Sequence, residues 1–161
     1  MLRSVCALVL TLLLCALGSA PVTGQDADSE ENTVLQDMTI AELRVLYARR
    51  VLTAERVQRL KQGVKPGTKM WYGNSHSGVR VTLEGTPHQY LIHKGPKYSG
   101  WFHHKTVITD TRNMRQTGWT VKETRDFGGS VTVNDMIRAG GGFYLLLGAN
   151  CHDAAKAIMR L

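Results

Sequence analysis

The sequence predicts an α+β domain: helices first, a small antiparallel sheet in the middle, and a closing helix that carries a cysteine. Three observations lead there. Apolar residues from Ile40 to Leu60 recur at helical intervals, and the period then drops to two at Val79, Val81 and Leu83. At the end of the chain, Ala154, Ala155, Ala157, Ile158 and Met159 restore an apolar helical face made of good helix formers.

Residues 1–20 read as a secretory signal: a basic start at Arg3, an apolar centre from Val5 to Leu17, then Gly18-Ser19-Ala20. Cleavage after Ala20 and after Gly24 both fit. Residues 21–37 are polar and acidic, and are expected to be a disordered leader. One domain, residues 38–161, then follows. It opens with a capping-box spacing, Thr39-Ile40-Ala41-Glu42, ahead of a helix through Ile40, Leu43, Leu46, Tyr47 and Val51. A second helical turn is expected over Thr53 to Gln62, with Val57 and Leu60 inward, ending at Gly63 before Pro66-Gly67. Arg44, Arg49, Arg50, Arg56 and Arg59 would form the solvated face of this helical hairpin, or a contact for an acidic partner.

Beyond Lys69 the pattern is that of strands. Val79, Val81 and Leu83 alternate with polar residues, Glu84-Gly85-Thr86 marks a tight turn, and His88 to His93 returns as the second strand. With Gly85 at the tip, Leu83 faces Pro87, Val81 faces Gln89, Val79 faces Leu91 and Ser77 faces His93. Thr106 to Thr109 and Trp119 to Glu123 are further short strands. Val131 to Asn134 leads into a short helix around Asp135 to Ala139 that Asn134 can cap. Phe143 to Leu147 suits a buried strand, Gly148 a sharp turn, and Cys151 the first turn of the helix running to Leu161.

Charge and cysteine use limit the function classes. Six of the thirteen acids lie between Asp26 and Glu42, whereas nineteen of the twenty Lys/Arg lie from Leu43 onward. A domain this basic is expected to adhere to anionic surfaces such as phospholipid headgroups or a bacterial cell wall. No basic run with interleaved stacking aromatics points to specific nucleic-acid readout. Beyond the signal, no stretch approaches the length of a membrane span. Cys6 and Cys15 leave with the signal, so a disulfide framework is excluded and Cys151 remains. Such a thiol is inert and buried, paired with a second copy in a Cys151-linked dimer, or reactive.

The parts for thiol chemistry are present. His76 and His93 fall at the open end of the hairpin, His88 sits beside its turn, and Cys151 starts a helix. A helix N-terminus contributes about 0.3–1 kcal/mol toward a thiolate, while one pKa unit requires about 1.4 kcal/mol. An imidazole must therefore supply the rest. His103 and His104 make a poor metal site with His93, because adjacent strand residues point to opposite faces. His152 diverges from Cys151 by about 100° around the helix, which disfavours it as the base.

Tyr144-Leu145-Leu146-Leu147-Gly148-Ala149-Asn150-Cys151, together with His76-Ser77-Gly78-Val79 and Leu91-Ile92-His93, resembles the lecithin:retinol acyltransferase-like family, part of the NlpC/P60 group of papain-like thiol enzymes. The resemblance covers about a third of the chain. It departs from the family where Cys151 is followed by His152-Asp153-Ala154. It implies a permuted papain-like domain, with Cys151 as nucleophile, His76 as general base and His93, or else His88, as the residue orienting His76. It implies no metal or organic cofactor. The expected function is a secreted acyltransferase or amide/ester hydrolase that works through an acyl-Cys intermediate on lipid or cell-wall peptide. The alternative is a non-catalytic secreted basic protein that binds anionic surfaces.

Overall fold

The computed structural model describes residues 38–61, 63–95, 106–113, 118–142, 145 and 147–161. The expected signal and acidic leader, and His103 and His104, lie outside the described residues. The elements run α1 (Ile40–Ala48), β1 (Arg50–Leu60), β2 (Ser75–Leu83), β3 (Gln89–Lys94), β4 (Thr106–Asp110), a short 3-10 turn (Thr111–Asn113), β5 (Thr120–Thr132), α2 (Val133–Gly140) and α3 (Cys151–Ile158). The strands form one antiparallel sheet in the order β4-β3-β2-β1-β5. Among the described residues, no helix is long and apolar enough to cross a membrane.

All three helices contribute to one core on a single face of the sheet. Val51, Ala54, Val79, Val81, Leu83, Ile92 and Ile108 meet Leu46 of α1, Val133 and Met136 of α2, and Ala155 and Ile158 of α3. The opposite face carries a smaller cluster of Val57, Leu91 and Trp119. α1 begins with the expected capping box: Thr39 accepts from the Glu42 N–H, and the Glu42 carboxylate receives the Thr39 N–H. Only Leu46 of that helix is buried, and Ile40 is exposed.

The stretch from Thr53 to Leu60, expected in a second helix, is instead part of β1, a strand paired on both sides. Its buried apolar residues Val51, Ala54 and Val57 are spaced by three, which imitates a helix. A break in register between Val51 and Thr53 keeps Val51 and Ala54 on the helix-covered face. The odd step from Ala54 to Val57 then turns Val57 to the other face. The arginines of this stretch consequently do not share a helical face. Arg50 donates to the Gly129 carbonyl, Arg56 pairs with Glu123, and Arg59 is buried with its guanidinium 5.1 Å over the Trp119 ring.

Three further expectations are corrected. The short strand expected at Trp119 to Glu123 is the start of the thirteen-residue β5, which continues to Thr132. Thr132, not Asn134, caps α2, because Thr132 and Asp135 form a reciprocal box that outcompetes a single Asn. No buried strand precedes α3 at the described positions: Leu145 and Leu147 are exposed, and Leu145 makes only an isolated bridge to Ala149.

These placements separate two apolar positions that look alike in the sequence. Ile158→Ala, at a fully buried site, is expected to cost about 2–5 kcal/mol. Leu147→Ala, at a site 88% exposed, is expected to stay within about 0.5 kcal/mol. Urea unfolding of the two variants checks this. Equal losses would mean that Leu147 is packed.

Candidate active site

The site starts from the register of the β2–β3 hairpin. The observed pairs are Thr82 with Gln89, Val81 with Tyr90, Arg80 with Leu91, Val79 with Ile92 and Gly78 with His93. This is a one-residue slip from the expected register, and a slip of one moves every side chain to the other face. In the expected register His93 would share the face of Ser77. In the observed one it shares the face of His76, and the rings meet with His76 Nε2 and His93 Nδ1 3.0 Å apart. Gly78 makes room for the meeting, since a Cβ there would come within 2.8 Å of Leu91 and 3.1 Å of His93. Trp119 closes over the pair, with its ring centroid 6.0 Å from that of His76.

The thiol approaches from a different direction. The β2–β3 ladder ends at Gly78 and His93, so Ser75 and Ser77 lie beyond it. The first turn of α3 meets them there. His152 Nε2 lies 3.2 Å from the Ser75 carbonyl and 3.4 Å from the Ser75 hydroxyl oxygen, which donates its own proton to the Trp71 carbonyl, so Nε2 carries the proton. Nδ1 of the same ring therefore accepts from the Ser77 hydroxyl at 2.7 Å. Tyr72 packs edge-on against the ring, 4.8 Å between centroids. His152 is thus a clamp between α3 and β2, in keeping with its expected exclusion as the base of Cys151. Asn150 caps the helix by accepting from the His152 and Asp153 N–H groups.

This clamp sets Cys151 against β2, buried to 3% exposure. Burial pushes its thiol pKa up. The Ser77 N–H, the charge of Lys61 and the N–H groups of Cys151 and His152 pull the other way without prevailing. Burial also lowers the His76 pKa, to about 3, helped by the nearby charges of Arg59 and Lys61 and by that of His152 when it is protonated. At neutral pH the thiol is protonated and the imidazole is neutral.

The structure therefore brings His76 and His93 together, but it makes no hydrogen bond between Cys151 and His76. Ser75 and Ser77 point to the α3 side and His76, between them, points to the other. The sulfur lies against the N–H of the residue that follows His76. His76 Nε2 is engaged by His93, and among the described residues no hydrogen bond engages its Nδ1. The hydrogen bond to His76 comes from His93, and His88 has other partners. Beside the turn, it is half-buried, bound to Asp110 at 3.0 Å and to the Tyr90 hydroxyl at 2.9 Å. The buried Cys151 is also not accessible for a disulfide between copies unless the first turn of α3 opens. No family model, curated protein or solved structure matches the chain.

The buried neutral imidazoles make stability pH-dependent. In the unfolded chain His76 protonates near 6.5, whereas in the folded protein it does so only near 3. The unfolded state therefore binds more protons between those values, and stability falls as pH is lowered through that window. His76 contributes less than about 1.4 kcal/mol per pH unit to this slope, and His152, also lowered by burial, adds to it. Urea midpoints between about pH 7 and pH 4 are expected to decline less steeply in His76→Gln. An unchanged slope would mean that the ring is solvated.

Proposed function

We propose that the chain is a secreted thiol-dependent acyltransferase or amide/ester hydrolase on a permuted papain-like domain, with Cys151 as nucleophile, His76 as base and His93 holding the tautomer of His76. The observation that supports it best is the His76–His93 bond. It occupies Nε2 and leaves Nδ1 as the nitrogen for a thiol lodged at the next residue's N–H. The protonation states favour general-base chemistry over a standing thiolate–imidazolium pair. Nδ1 takes the thiol proton as sulfur attacks the acyl carbonyl, a C–S bond forms, and the bond to the leaving group breaks. The proton passes to the leaving alcohol or amine, and water or an acceptor hydroxyl then cleaves the thioester. The N–H groups around the sulfur are suited to stabilising charge that develops at the thioester. His76 must first swing past the end of β3 to meet the thiol. The basic exterior suits an anionic lipid or cell-wall substrate.

One observation favours a second reading, a non-catalytic basic protein that binds anionic surfaces: the ring of His76 leaves β2 away from α3, and the thiol is buried with a raised pKa. One experiment separates the two. The protein is mixed with p-nitrophenyl acetate and the acyl adduct is located by mass spectrometry. Acyl transfer to Cys151, slowed about 100-fold or more in His76→Ala, is the expected result. Absence of the adduct, or an equal rate in His76→Ala, would overturn the enzyme reading. Salt-reversible sedimentation with phosphatidylserine vesicles in that case would leave the binder.

A further inference from the structure

On the helix-covered side of the sheet, a cavity of about 290 Å³ opens between α2 and α3. Among the described residues its walls are Gly and Ala, from Ala139 to Gly142, Gly148, Ala149, Ala154 and Ala157, with two exceptions: Lys94 and Asp153. Lys94, the last residue of β3, is 3% exposed. Its ammonium donates to the Gly140 carbonyl at 2.8 Å, at the negative end of α2. An ammonium has three N–H groups, so that bond leaves two for another acceptor. Burial lowers the Lys94 pKa, and the charge of Asp153 opposes this, yet the two make no ion pair. Asp153 receives the Asn150 N–H on Oδ2, leaving Oδ1 without a described partner.

A small-walled cavity with one cation and one anion held apart is complementary to a molecule that carries both charges. A carboxylate alone would satisfy Lys94 but be repelled by Asp153, and an amine alone would meet the reverse. We infer that this cavity binds a small zwitterionic α-amino acid, its carboxylate on Lys94 and its ammonium on Asp153. The Gly and Ala walls leave room for a short side chain. A water's share of liquid volume is about 30 Å³, so the space holds a ligand of several heavy atoms. This site does not involve the sulfur of Cys151, and it stands or falls apart from the acyl chemistry.

The test is a titration of the whole protein with glycine, L-alanine, acetate or methylammonium, followed by the NMR amide shifts of Gly141, Gly142, Gly148 and Asp153. Glycine and alanine are expected to give saturable shifts, with affinity at least about tenfold above either single-charge fragment. Asp153→Asn keeps an acceptor for the helix cap and is expected to weaken alanine binding about tenfold while sparing acetate. Ala157→Leu fills the cavity without touching a charge, and is expected to abolish binding with the rest of the amide spectrum retained. No saturable shift with the amino acids, acetate binding as well as alanine, or alanine binding undiminished in Ala157→Leu would each overturn the inference.

Discussion

The seat of α3 on β2 is the constraint on which the site depends. Where β3 stops, β2 has backbone groups left over, and a buried backbone group without a partner costs about 1–3 kcal/mol. The first turn of α3 supplies the partners. His152 takes the Ser75 carbonyl and the Ser77 hydroxyl, and the sulfur of Cys151 takes the Ser77 N–H. A helix end, whose own N–H groups also lack intrahelical partners, is thereby held against a strand edge in the same condition.

That seating has an electrostatic consequence. The site is dry enough that burial outweighs both the helix terminus and the nearby cations, so sulfur and imidazole rest in their neutral forms. A helix N-terminus favours a thiolate by about 0.3–1 kcal/mol, which does not offset taking that charge out of water. Chemistry at Cys151 would then need proton transfer during the reaction. The second face of the sheet, with Trp119 over His76, keeps the imidazole pair away from solvent as well.

What could be read from the residues was what local chemistry decides. The Thr39–Glu42 box, the start of α3 at Cys151, and the turn at Gly85 with its φ of +68° were all legible, because a few neighbours settle each. Thr132 and Asp135 carried the same signal for α2, but the adjacent Asn134 obscured it. β1 was not legible: a break in its ladder is set by its partners β2 and β5, and it produced a spacing of three that periodicity reads as a helix. The hairpin register failed by one residue for a similar reason. The turn runs from Leu83 to Gln89, and its internal bonds, Thr86 N–H to the Leu83 carbonyl among them, place the tip half a step from a symmetric count about Gly85. That half step decides which face His93 takes, and so whether it can hold His76. The apolar Leu145 and Leu147 implied burial, yet composition does not say which side of the sheet is already covered.

The central claim is that the imidazole of His76 serves the sulfur of Cys151 around the end of β3. A crystal structure of the protein with Cys151 acylated tests it most directly, through the position of the His76 ring. The account predicts the His76 ring swung past the end of β3, with Nδ1 within hydrogen-bond reach of the thioester or its attacking water. A ring left on the opposite face of β2 beside an intact acyl-sulfur bond would contradict it.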